Sequence, residues 1–281
     1  MSITIIIGIA IFTIFTNNNE NISKNTSSKR MIAVSSYNLY EFTKAIVNDK
    51  ANVELIIPQG VEIHDWEPTV RDLERLNSYD ILIYNSNTLE LYINNIRENT
   101  DLILIEAAKG LTINDEPHIW LDPLLAKEEL NNILIDLTRI DKDNEDYYRK
   151  NAMEYSKRLD DLDIAFKEGL ANCKREFIVL HNAYSYLANR YNLTQIALIK
   201  HPEDEPSAND IKEIIDLIRT KDIKVIYAER GIDPKIMQQL SEDTNTQILY
   251  LDPIEIISNE NTTYIDMMLS NLQSLKEGLC K

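Results

Sequence analysis

The sequence predicts an α/β fold: two similar lobes with mostly parallel sheets, joined by a long rigid helix. Three observations carry this. Short β-branched runs alternate with amphipathic stretches from Arg30 onward, the pattern of helices packed on parallel strands. The runs fall into two sets. Between the sets lies a stretch without strand character, from Asp122 to Cys173.

The elements follow in order. The apolar run from Ile3 to Phe15 has the length of a secretory h-region and falls short of the roughly 20 residues a spanning helix needs. It reads as an export signal or, if uncleaved, as a membrane anchor. NNNENISKNTSSK is a polar tether with two glycosylation sequons, at Asn21 and Asn25. Residues 1–30 are therefore the signal or anchor segment and tether. The first lobe, residues 31–141, has candidate strands MIAVSS, VELIIP, ILIYN and LILIEA. Residues 142–173 are the linker helix, with an acidic opening and Tyr147, Met153, Leu159, Leu162 and Phe166 at helical spacing. The second lobe, residues 174–281, has candidate strands FIVL, QIALIK, KVIYA and QILYL. Ser207 with Asp210 three residues later marks a helix start. Each lobe is expected to have its own core.

Composition excludes several functions. A formal net charge of −17 argues against nucleic acid as a partner, since phosphate contacts need clustered Lys and Arg. The six glycines are too scattered for GxGxxG or GxxxxGK[ST], and no GxSxG occurs, so dinucleotide enzymes, P-loop enzymes and nucleophile-elbow hydrolases lose their markers. Cys173 and Cys280 are the two cysteines, too few for a disulfide framework or a four-thiolate zinc site. They either pair, stapling the end of the chain to its middle, or stand as two buried thiols.

Open α/β sheets bind ligands beyond the carboxyl ends of their strands. His64 follows VELIIP, His118 follows LILIEA, His181 directly follows FIVL and Asp252 directly follows QILYL. Singly, each suits a structural hydrogen-bonding role. Together, two from each lobe, they suit a divalent metal held across an inter-lobe cleft, because imidazole and carboxylate are good tetrahedral zinc ligands. His201, in the acidic and proline-bounded IKHPEDEP, reads as a surface residue. Trp66 and Trp120 each stand two residues after a candidate ligand and are expected to pack its loop.

GVEIHDWEPTVRDLERL, EPHIWLDP, HNAYSYLANRYNL and LYLDP, in that order, resemble the four ligand segments of the zinc and manganese solute-binding proteins of ABC uptake systems. EPSANDIKEIIDLI and KVIYAERGIDPKIMQQLSEDTN resemble the second lobe of that family, and the likeness runs from about Met31 to Lys281. It implies that His64, His118 and His181 are ligands and Asp252 the fourth, with Glu229 accepting from a histidine ring. Histidine rather than glutamate at position 181 favours Zn2+ over the alternative Mn2+ as the transported ligand. The implied protein is a binding module rather than an enzyme: a monomeric, exported, extracytoplasmic receptor that delivers its ion to an ABC transporter membrane permease. A zinc hydrolase and a surface adhesin are the rival readings. GLTINDEPH is too short for the His-rich loop of many zinc-type relatives, and no cysteine near the N-terminus offers a lipid attachment point.

Overall fold

The computed structural model describes residues 29–58, 61, 63–64, 66–111, 116–202, 204–230, 234–255 and 262–280. The signal or anchor segment and most of the tether lie outside these residues. No helix among the described residues is long and apolar enough to cross a membrane.

All eight strand runs are strands. In the first half, β1 (Arg30–Val34), β2 (Ala51–Leu55), β3 (Ile81–Tyr84) and β4 (Ile103–Glu106) form a parallel sheet of order β2-β1-β3-β4. Helices α1 (Tyr37–Val47), α2 (Val70–Leu76) and α3 (Ile93–Asn99) connect these strands. Then come α4 (Pro123–Ile140) and the 25-residue α5 (Glu145–Gly169). The second half repeats the plan. Strands β5 (Glu176–His181), β6 (Thr194–Ile199), β7 (Val225–Glu229) and β8 (Gln247–Leu251) form a parallel sheet of order β6-β5-β7-β8. Helices α6 (Ser185–Arg190), α7 (Ala208–Lys221), α8 (Lys235–Thr244) and α9 (Tyr264–Leu279) complete the chain.

Local chemistry sets the helix starts. Thr69 with Asp72, Ser207 with Asp210 and Thr263 with Asp266 each form a reciprocal capping box, opening α2, α7 and α9. Asp122 caps α4 by accepting from Leu124 and Leu125 N–H, and Pro123 fills the first helical position, where no donor is needed.

The core departs from the expectation of one core per lobe. Strand β5 is apolar on both faces: Phe177 and Val179 join one buried cluster, Ile178 and Leu180 another. The larger cluster runs without a break from Ile32, Val34 and Ile83 of the first sheet, through α4, α5 and α9, to the inner face of the second. The smaller one fills the outer face of the second sheet, under α7 and α8. The halves therefore share an interior, with α5 as its wall. Its buried stripe is Tyr148, Ala152, Tyr155, Leu159, Leu162 and Phe166, whereas Met153, expected on that stripe, is 68% exposed. A bridge between Cys173 and Cys280 ties the end of α5 to the end of α9, which settles the pairing that the sequence left open.

Candidate metal centre

In both sheets the strand order reverses between the first and third strands of the set, and in the second sheet that switch point carries chemistry. His181 ends β5 and Glu229 ends β7 beside it. The backbone N–H of His181 donates to Glu229 Oε1 at 3.0 Å, and its ring Nδ1 meets Glu229 Oε2 at 2.5 Å. With Nδ1 so occupied, the lone pair lies on Nε2. That Nε2 is buried and has no hydrogen-bond partner among the described residues.

Three other side chains converge with His181. One ligand atom each from His64, His118, His181 and Glu255 lies within 4.8 Å of all the others. His64 Nε2 is 3.2 Å from His118 Nε2 and 3.3 Å from Glu255 Oε1. Two ligands of one tetrahedral zinc, each bonded at about 2.0 to 2.1 Å, stand about 3.3 Å apart, so these are the spacings of neighbouring corners of such a site. The ring centroids stand 5.1 Å apart for His64 and His118, 5.2 Å for His118 and His181, and 6.3 Å for His64 and His181. The donor set of three imidazole nitrogens and one carboxylate oxygen suits zinc.

Each of the four side chains lies at or beyond the end of a different strand. Ile63 and Trp66, both buried, hold the His64 loop, with Trp66 packed edge-on to Tyr92 at 4.7 Å. His118 precedes the 3-10 turn Ile119–Leu121, whose Trp120 is fully buried and lies 5.1 Å from the His118 ring. Glu255 arrives through a sharp turn after β8. Ile254 adopts φ 62°, a left-handed conformation uncommon for a β-branched residue and costing about 1 to 3 kcal/mol. Three contacts hold that turn: Ile254 N–H donates to Asp252 Oδ1 at 2.8 Å, Trp120 Nε1 to Pro253 O at 2.7 Å, and Tyr37 N–H to Glu255 O at 3.3 Å.

Asp252, the expected fourth ligand, is not in the converging group. Its Oδ1 accepts from Ile254 and so shapes the turn that presents Glu255. The strand-end position drew attention to Asp252; the acid three residues later, in DPIE, was the signal for Glu255. Glu116 was also missed. One of its oxygens meets the backbone N–H and Nδ1 of His118, and the other accepts from Ser185 Oγ at 2.5 Å. Burial opposes charge on His118, but Glu255 and Glu116 outweigh it and push the pKa up to about 10. Burial likewise opposes charge on Glu255, yet His118 and His64 hold its carboxyl well below the usual range. Carboxylates on both sides of the His118 ring favour positive charge there, and a cation at Nε2 meets the same demand. His201, read as a surface residue, is half-buried, with its ring 6.5 Å from that of His64.

Residues 32–278 match the profile of the family described as zinc-uptake complex component A, periplasmic (ZnuA). The chain belongs to that family. It is 33% identical to the high-affinity zinc uptake system protein ZnuA of Bacillus subtilis, over 89% of this chain and 88% of that protein. Among solved structures, the Zn(II)-bound ZnuA-like domain of Streptococcus pneumoniae AdcA shares 30% identity at a TM-score of 0.81, covering 89% of this chain and 98% of that one. The laminin-binding protein Lmb of Streptococcus agalactiae, described as having adhesin and metal-transporting activity, shares 32% identity at a TM-score of 0.84, covering 89% and 99%. The two-lobed α/β architecture is the fold of these family members.

Proposed function

We propose that this chain is an extracytoplasmic receptor that binds one zinc ion through His64, His118, His181 and Glu255 and passes it to an ABC transporter permease. The observation that carries the reading is the buried His181 Nε2, orphaned among the described residues, on a side chain that offers a ligand atom within 4.8 Å of those of His64, His118 and Glu255. Glu229 and Glu116 hold the two most buried rings in the tautomer that offers Nε2. Four protein ligands close the coordination sphere. A catalytic zinc keeps a position open for water, so capture and transfer fit this donor set better than hydrolysis.

Metal analysis of natively purified protein by mass spectrometry, followed by titration of the stripped chain, tests the reading. One zinc per chain is expected, with a thermal midpoint that rises with free zinc through mass action on the native state. No bound ion, two or more tight sites, or an unmoved midpoint at saturating zinc overturns it. Manganese is expected to bind the same residues more weakly, as it stands lowest in the divalent series.

A further inference from the structure

His201 belongs to none of the roles described so far. It lies in the loop after β6, two residues beyond Ile199, whose Cα pairs with that of His181 in the sheet register. The loop after β6 therefore opens beside the ligand that ends β5. The backbone of His201 is fixed on both sides: its N–H donates to Asp204 Oδ2 at 2.9 Å, and Asp204 N–H donates to its carbonyl at 3.0 Å. Pro202 and Pro206 stiffen the same loop.

The four converging side chains are unequally accessible. His118, His181 and Glu255 are 2%, 1% and 4% exposed, whereas His64 is 11% exposed. An ion arriving from solvent meets His64 first, and the His201 ring lies beside His64, with ring centroids 6.5 Å apart and planes at 61°. His201 is not in the converging group of four, although its ring lies about as far from that of His64 as the His181 ring does, at 6.5 against 6.3 Å. The exposed carboxylates of Asp204 and Glu205 follow it in the same loop and draw cations toward that loop.

We infer that His201 is a transit ligand: an ion passing between solvent and the buried site is held by His201 and His64 before His118, His181 and Glu255 complete its coordination. This rests on the proposed zinc-binding function and adds a step to it. Solvent water is shed as imidazoles replace it one at a time, which avoids stripping the ion in a single event. A contact made only at the barrier lowers it equally in both directions. Removing His201 therefore slows entry and exit by the same factor and leaves the equilibrium constant where it was.

The experiment uses stripped full-length protein, with inorganic zinc as the probe. Association is followed by tryptophan emission in rapid mixing, dissociation by capture in excess chelator, and affinity by competition titration. His201→Ala and His201→Gln, the second keeping bulk and polarity but ligating poorly, are expected to lower both rates by about tenfold with affinity within about twofold. Unchanged rates in both variants overturn the inference. So does a weakened affinity carried by faster dissociation, which would make His201 a resident ligand. Slowing in the alanine variant alone overturns it too, since packing rather than ligation would then be responsible. If wild-type protein takes up no zinc, the proposed function fails; if it does and the variants match it, the role of His201 alone fails.

Discussion

Ser185 Oγ donates to Glu116 Oε2 at 2.5 Å, and the other oxygen of the same carboxylate meets Nδ1 of His118. The orientation of a metal-facing ring in the first half of the chain thus depends on a helix of the second half. Segment EPHIWLDP makes three more such contacts: Trp120 Nε1 to Pro253 O, Tyr264 Oη to Trp120 O, and Arg190 Nε to both oxygens of Asp122 at 2.8 Å. The centre and the packing of the two halves are one structure.

Removing that support should weaken zinc binding without unfolding the protein. Glu116→Ala is expected to reduce affinity about 10- to 100-fold, the usual effect of losing an outer-sphere partner of a ligating histidine. Ser185→Ala, which leaves Glu116 on the ring, is expected to have a smaller effect. Competition titrations beside thermal melts of the stripped variants check this; equal affinities in Glu116→Ala and wild type would show that the ring needs no carboxylate.

Glu255 and Asp252 are separable by paired substitutions. Glu255→Gln removes a charged ligand and should weaken zinc binding more than Glu116→Ala does. Asp252→Asn keeps an oxygen able to accept from Ile254 N–H, so the turn and the affinity should survive. The reverse ranking in zinc titrations would return the ligand role to Asp252.

The bridge between Cys173 and Cys280 closes a span of 107 residues. Unreduced, denatured protein should show no titratable thiol. Cys173→Ser together with Cys280→Ser should lower the unfolding free energy by about 2 to 4 kcal/mol through the larger entropy of the open unfolded chain. Thiol titration and denaturant melts check both; two reactive thiols in oxidised material would contradict the pairing.

Glu129, on α4, is fully buried, and neither carboxyl oxygen has a hydrogen-bond partner among the described residues. Burial, reinforced by the nearby Glu90, pushes its pKa well above the usual carboxylate range. The folded state therefore keeps a proton that the unfolded chain loses above about pH 4.3. Its contribution is fully present below that pH and declines as pH rises toward the folded-state value. Glu129→Gln should flatten this decline, and Glu129→Met should raise the thermal midpoint at neutral pH by removing a buried, unpaired polar group. Melts across pH 4 to 8 check the sign; parallel curves for wild type and Glu129→Gln would show that Glu129 titrates alike in both states.

Much of this was legible because it is local. The β-branched runs became all eight strands, the Ser207 cap opened α7, and three histidines at strand ends came together. Local signals were also present but unread at Thr69, Thr263 and the Asp122-Pro123 start of α4. On α5, Tyr147 and Met153 were expected on the apolar stripe, but the helical period reaches back from Leu159, Leu162 and Phe166 to Tyr155, Ala152 and Tyr148, and those are the residues buried.

By itself, the sequence determined the parallel α/β plan and the three imidazoles, since alternation of runs and the placement of residues at strand ends depend on neighbours along the chain. Tertiary structure placed Glu255 rather than Asp252 in the converging group, because that placement turns on Ile254 taking a left-handed conformation, held by Trp120 and Tyr37 from the other half of the molecule. It also brought Ser185 to Glu116 and His201 to His64. These contacts join residues far apart in the chain, and their geometry follows from how two sheets settle on a shared interior, which no local pattern encodes.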